Sequence, residues 1–214
     1  MESGRQILLL PVGSTEQHGP HLPLATDLIV AEALCTRLQA RRDDLIVGPS
    51  VTIGASGEHA GFAGTLSIGT EVLAAVITEV VRSARATFSG VVAVNGHGGN
   101  AQALAVAEAK ARAEGDDFLV LHPQFPGADA HAGRTETSLL LTLEPSLVRK
   151  DEAMAGITAP LAEIADDLRT HGVAAVSPSG VLGDPRGASA EEGEKLLNAA
   201  IDTLSDAIDE RFPR

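Results

Sequence analysis

Tryptophan and tyrosine are absent from this 214-residue chain and phenylalanine occurs only five times. Any substrate pocket must therefore be lined mainly by aliphatic, polar and backbone groups. Cys35 is the single cysteine, which excludes an internal disulfide and makes a thiolate metal site a poor expectation. It lies in the apolar stretch Ile29 to Cys35 and suits a small buried hydrophobe better than a reactive thiol. No apolar run approaches the ~20 residues that span a bilayer, and the opening Met1 to Gln6 has none of the parts of a signal peptide. A cytoplasmic protein without a membrane partner is expected. Basic residues are also scarce, 16 against 29 acidic ones, and the net charge of −13 would repel nucleic acid, so no nucleic-acid partner is expected.

What is present is an alternation of short apolar runs with helical patterns. Ile7 to Val12 ends in Gly13-Ser14 and reads as the first buried strand. Residues 27 to 41 carry a helical period through Leu28, Ala31, Leu34 and Leu38, with Thr26 or Asp27 as a candidate cap. Leu45 to Pro49 leads into a glycine-rich stretch from Gly54 to Gly64. Thr70 to Phe88 predicts an amphipathic helix, Val91 to Val94 a strand, the following Ala- and Glu-rich segment a helix to about Glu114, and Phe118 to Leu121 another strand. Residues 172 to 188 read as loop, and Glu191 to Phe212 as a closing helix. The pattern predicts one α/β domain over residues 1–214, with a mostly parallel sheet covered on both faces. Ligands of such sheets gather beyond the carboxyl ends of the strands, where this chain places its histidines.

Glu16-Gln17-His18 sets a carboxylate and an imidazole two residues apart, on the same side of an extended segment, able to grip one centre or two adjacent ones. Asp27 reads either as a helix cap or as a ligand. His97, between glycines after a strand, is open to a ligand, although a hydrogen-bonded structural histidine would read the same way. Glu136 in the first turn of a predicted helix is an ordinary dipole partner or a third carboxylate ligand. The glycine-rich loop lacks the Gly-Lys-Ser/Thr ending of a phosphate loop and the spacing of a dinucleotide fingerprint. Two imidazoles and three carboxylates together suit borderline-hard divalent ions such as Zn, Mn or Fe(II).

From Leu9 to about Phe212 the chain is similar to the creatininase family of amidohydrolases. The resemblance rests on Leu10 to Leu24, Thr26-Asp27, Asn95 to Asn100, His131-Ala132-Gly133 with Glu136-Thr137-Ser138, and Gly54 to His59 with Gly61 to Ser67. It implies a three-layer α/β/α fold and two divalent metal ions per subunit (Zn, Fe(II) or Mn), held by Glu16, His18, Asp27, His97 and Glu136 with Asp27 bridging. It also implies proton transfer by His131, a substrate side at His59, Ser67, Gly98 and Gly99, and a homo-oligomer. Gly54 to Ser67, His131 to Ser138 and especially Gly172 to Ser177 with Gly180 to Pro185 look most like a branch of peptidases that remove a C-terminal Val-Tyr dipeptide from a short modified precursor peptide. A small-amide or formamide hydrolase, or a non-catalytic metal-binding scaffold, are the alternatives. Two departures stand out: Ala63 where many relatives have proline, and Gly99 where creatinine-hydrolysing relatives are expected to carry glutamate.

Overall fold

The computed structural model describes residues 6–214, so the opening segment read for a targeting signal lies, apart from Gln6, outside the described residues. The elements in order are β1 (Ile7–Val12), α1 (Thr26–Gln39), β2 (Leu45–Val47), α2 (Gly69–Ala84), β3 (Gly90–Asn95), α3 (Ala101–Glu114), β4 (Phe118–Leu121), α4 (Arg134–Leu143), α5 (Leu161–His171), α6 (Val173–Val176) and α7 (Ala190–Arg211). The four strands form a parallel sheet in the order β2-β1-β3-β4.

Every residue of β1 and β3 is buried, which is why both read as unbroken apolar runs rather than alternating ones. Alternate residues serve opposite cores. Ile7, Leu9, Val92 and Val94 pack with α1, α4 and α7 on one face. Leu8, Leu10, Val12, Val91 and Ala93 pack with α2 and α3 on the other. The result is the expected α/β/α arrangement. Cys35 is wholly buried in the first core, and burial pushes its thiol up to about 12, in line with a packing role. Among the described residues no helix is long and apolar enough to cross a membrane.

Three local expectations need correction. Neither Thr26 nor Asp27 caps α1. The cap position is Ala25, without a side-chain bond, while the Thr26 hydroxyl donates to the Pro23 carbonyl at 2.8 Å and Asp27 is committed elsewhere. The helix expected to reach Phe88 stops at Ala84. The stretch before residue 172 contains α5, which the sequence reading passed over, and the segment read as loop holds the four-residue α6.

Candidate metal centre

β1 and β3 pair in register from Ile7 with Gly90 to Val12 with Asn95, so the segments that leave them start side by side at the carboxyl edge of the sheet. Gly96 then passes so close to α1 that a Cβ there would lie 2.3 Å from the Asp27 carbonyl oxygen. Only glycine allows that approach, and it sets the first turn of α1 between the two histidine-bearing segments. The Ser14 hydroxyl donates to Asp27 Oδ2 at 2.6 Å. The carboxylate of Asp27 then faces both ways, with Oδ1 3.1 Å from His18 Nε2 and Oδ2 3.4 Å from His97 Nδ1.

Glu16 is fully buried beside it. His97 Nε2 lies 3.1 Å from its Oε2, and His59 Nε2 lies 3.3 Å from its Oε1, yet neither oxygen accepts a hydrogen bond. His18 Nδ1–H donates to the Glu16 carbonyl oxygen at 3.1 Å, which leaves Nε2 facing the carboxylates. His131 Nε2–H donates to the Gln17 carbonyl oxygen at 2.8 Å, so its Nδ1 is the acceptor, 3.8 Å from Glu16 Oε1. Glu136 Oε2 lies 3.8 Å from His18 Nε2 and accepts from the Ala132 amide at 2.6 Å. Ala132 holds the left-handed conformation (φ 50°), rare for a residue with a Cβ, and that strain aims its N–H at Glu136.

The electrostatics follow from packing several titratable groups into a dry space. Burial, then the Asp27 charge, pushes Glu16 up to about 7, and burial lifts Glu136 to about 7 as well. Burial opposes the charged form of His18, but Asp27 and Glu136 outweigh it and raise the ring to about 10. His97 rises to about 9 because Glu58, Glu16 and Asp27 overcome the same penalty. Burial and the neighbouring charge on His18 hold His131 well below the ordinary histidine value. Burial and His97 take His59 down to about 4.

A buried carboxylate with two unpartnered oxygens is expensive unless a cation completes it. The donor set fits a divalent metal. Four groupings have ligand atoms within 4.8 Å of one another: Glu16 with His18 and Asp27; Glu16 with Glu58 and His97; Glu16 with His59 and His131; and His18 with His131 and Glu136. Thus Glu16, His18, Asp27, His97, Glu136, His131 and His59 converge as a cluster. Ser67 does not join it, since its hydroxyl is taken by the Ser56 and Gly69 amides. Gly98 and Gly99 line a cavity of about 200 Å³ beside the cluster, together with Leu161 and Leu168 of α5.

The sequence reading missed Glu58 and α5. The spacing Leu161, Ile164, Leu168 is a helical signal that was there to be used, whereas Glu58 gave no sign apart from its place next to His59. A second, larger cavity of about 660 Å³ shares Glu58, Gly98, Gly99 and Leu168 with it as lining.

A family model described as creatininase, creatinine amidohydrolase, matches residues 1–208. The mycofactocin precursor peptide peptidase of Mycolicibacterium smegmatis is 51% identical over 207 residues, covering 94% of this chain and 84% of that protein. The creatinine amidohydrolase of Pseudomonas putida is 31% identical over 241 residues, 99% of this chain and 92% of its own length. A creatininase variant solved in its Zn–Zn form superposes with a TM-score of 0.81 at 27% identity, covering 98% of this chain and 92% of that one.

Proposed function

The chain belongs to the creatininase family of metal-dependent hydrolases, and from that premise we propose that it is the peptidase that releases a C-terminal Val-Tyr dipeptide from the modified mycofactocin precursor peptide during redox-cofactor biosynthesis. The observation that carries this reading is the 51% identity to a mycofactocin precursor peptide peptidase, against 31% to a creatinine amidohydrolase. The absence of Trp and Tyr supports it, since a small flat ring has no indole or phenol here to stack on, while a peptide can draw binding energy from its backbone and several residues.

Glu16, His18, Asp27, His97 and Glu136 would hold two divalent ions (Zn, Fe(II) or Mn). Asp27, whose two oxygens face two different histidines, would be the carboxylate shared between them. Such ions make bound water acidic, from about 15.7 toward ~7, and polarise the amide carbonyl. The protein's own part is to hold and to move protons. The carbonyl of Gln17 fixes the His131 tautomer, so a neutral Nδ1 faces the reacting centre, takes the proton of the attacking water and passes it to the departing amine. The Gly98 and Gly99 amides hold the developing oxyanion, and the larger cavity past Glu58 receives the peptide. The chain acts as one domain in the cytoplasm and assembles as a homo-oligomer. Val72 and Val76, one turn apart on α2 and both exposed, support an oligomer contact.

The test offers one metal-loaded preparation both a precursor peptide ending in Val-Tyr and creatinine, and follows dipeptide and creatine by mass spectrometry. Peptide cleavage should dominate. Creatinine turnover that matches or exceeds it would overturn the proposal.

A further inference from the structure

Gly99 owes its identity to space rather than to backbone conformation. It is not among the glycines with positive φ, yet a Cβ there would lie 2.3 Å from Glu58 Oε1 and 2.4 Å from His97 Nε2. The room a side chain at position 99 would need is already filled by the carboxylate of another loop. Glu58 stands on a single turn, Gly57–His59, and reaches inward until Oε1 is 3.2 Å from His97 Nε2. That same nitrogen lies 3.1 Å from Glu16 Oε2, one of the two buried oxygens with no hydrogen-bond donor. Three ligand atoms, one each from Glu16, Glu58 and His97, therefore surround one point, and it is distinct from the grouping of His18, His131 and Glu136.

We propose that Glu58 is a direct ligand of the metal ion held by Glu16 and His97, its carboxylate reaching in from the Gly54 to Ser67 loop to the place that Gly99 leaves open. The inference rests on the two-metal reading above. Position 99 is glycine and has no carboxylate to give, and Glu58, whose Oε1 fills the space beside it, supplies a second carboxylate next to Glu16 and His97 at that point. The Glu58 side chain is one-third exposed at the junction of the two cavities, so the ion it helps to hold is the one nearer the incoming peptide. The site then divides into a substrate-side ion, set by Glu58 and His97, and an inner ion, set by His18 and Glu136, with Glu16 and Asp27 between them.

The test is binding, not turnover. Metal-free wild type, Glu58→Gln and Glu136→Gln are titrated with Zn²⁺ by calorimetry, and the ions retained after dialysis are counted by mass spectrometry. Circular dichroism of each variant checks folding, and Glu58→Asp provides a second variant that keeps the charge but shortens the reach. Loss of an outer-shell partner typically weakens metal affinity ~10- to 100-fold, so loss of a direct ligand should weaken one of the two binding events by at least ~10²-fold and leave the other intact. Glu136→Gln should weaken the complementary event. Wild type that binds fewer than two ions overturns the two-metal reading itself. Wild type with two ions, beside a Glu58→Gln variant that holds both as tightly, overturns the role of Glu58 alone.

Discussion

The two ends of the sheet treat buried charge in opposite ways. At the amino ends of the strands Arg42 is 3% exposed, and its guanidinium is fully engaged. Nε and Nη2 donate to Asp44 at 2.8 and 2.6 Å, and Nη1 donates to Asp209 at 2.7 Å and to the Phe212 carbonyl at 2.9 Å. That clasp ties the loop before β2 to the end of α7, and every bond in it is internal. At the carboxyl ends Glu16 is buried just as deeply and accepts no hydrogen bond, with imidazoles and carboxylates crowded around it. A buried charge with all its partners in the chain is a structural element, whereas one that accepts no hydrogen bond from the chain leaves room for a partner from outside, a proton, a water or a cation.

Substitutions at the two ends should therefore separate stability from metal. Glu16→Gln removes a buried carboxylate that accepts no hydrogen bond from the chain, so the largest effect is on function: detectable peptide cleavage and at least one bound ion should disappear, while the metal-free protein unfolds in urea at an unchanged or higher midpoint. A metal-free variant destabilised by more than ~2 kcal/mol would mean that Glu16 is part of the scaffold after all. His131→Ala should lower kcat by at least ~10²-fold with both ions retained, and loss of an ion in this variant would make His131 a ligand.

Arg42→Ala should show the reverse pattern. Breaking a buried ion pair costs ~3–5 kcal/mol, but Asp44 and Asp209 are 32% and 44% exposed and are screened when left alone, so about 2–3 kcal/mol is expected. The folded fraction should bind metal as wild type does. Metal loss in folded Arg42→Ala would break the separation between the two ends.

The smallest effect is graded and depends on pH. His18 and His97, raised to about 10 and about 9, stabilise the metal-free fold most at acidic pH and lose that contribution as pH rises through those values. Glu16 and Glu136, raised to about 7, have the same sign: the fold prefers them protonated, and stability falls as pH rises through about 7. Metal binding expels these protons, so affinity should move the other way and rise by ~10-fold per pH unit for each proton released between about pH 6 and about pH 8. Thermal unfolding with and without Zn²⁺ across that range should show metal-free stability falling while the stabilisation by metal grows. Parallel curves would show that the cluster does not exchange protons for metal. Asp44, held below the usual carboxylate range by Arg42, adds no slope there.

Much of this was legible in the chain because its signals are local. The parallel sheet could be read from β1 and β3, since strands buried on both faces need apolar residues at every position, and the carboxyl edge could be read from the polar segments that follow them. The family motifs marked Glu16, His18, Asp27, His97, Glu136 and His131, and all six lie in the cluster. The resemblance could not tell what each flanking residue does. Ser67 shares a motif with His59, yet its hydroxyl is bonded to two backbone amides while the His59 ring faces Glu16. Asp27 reads equally well as a cap or as a bridge, and only the docking of α1 against Gly96 turns its carboxylate toward His18 and His97. Glu58, 42 residues from Glu16 and 39 from His97 along the chain, meets both only after the loop before α2 folds over the sheet edge. Residue type and spacing sufficed for elements whose pattern repeats within one helix or strand. Contacts between distant segments, and the partners a buried carboxylate gains or lacks, were decided by the packing of the layers.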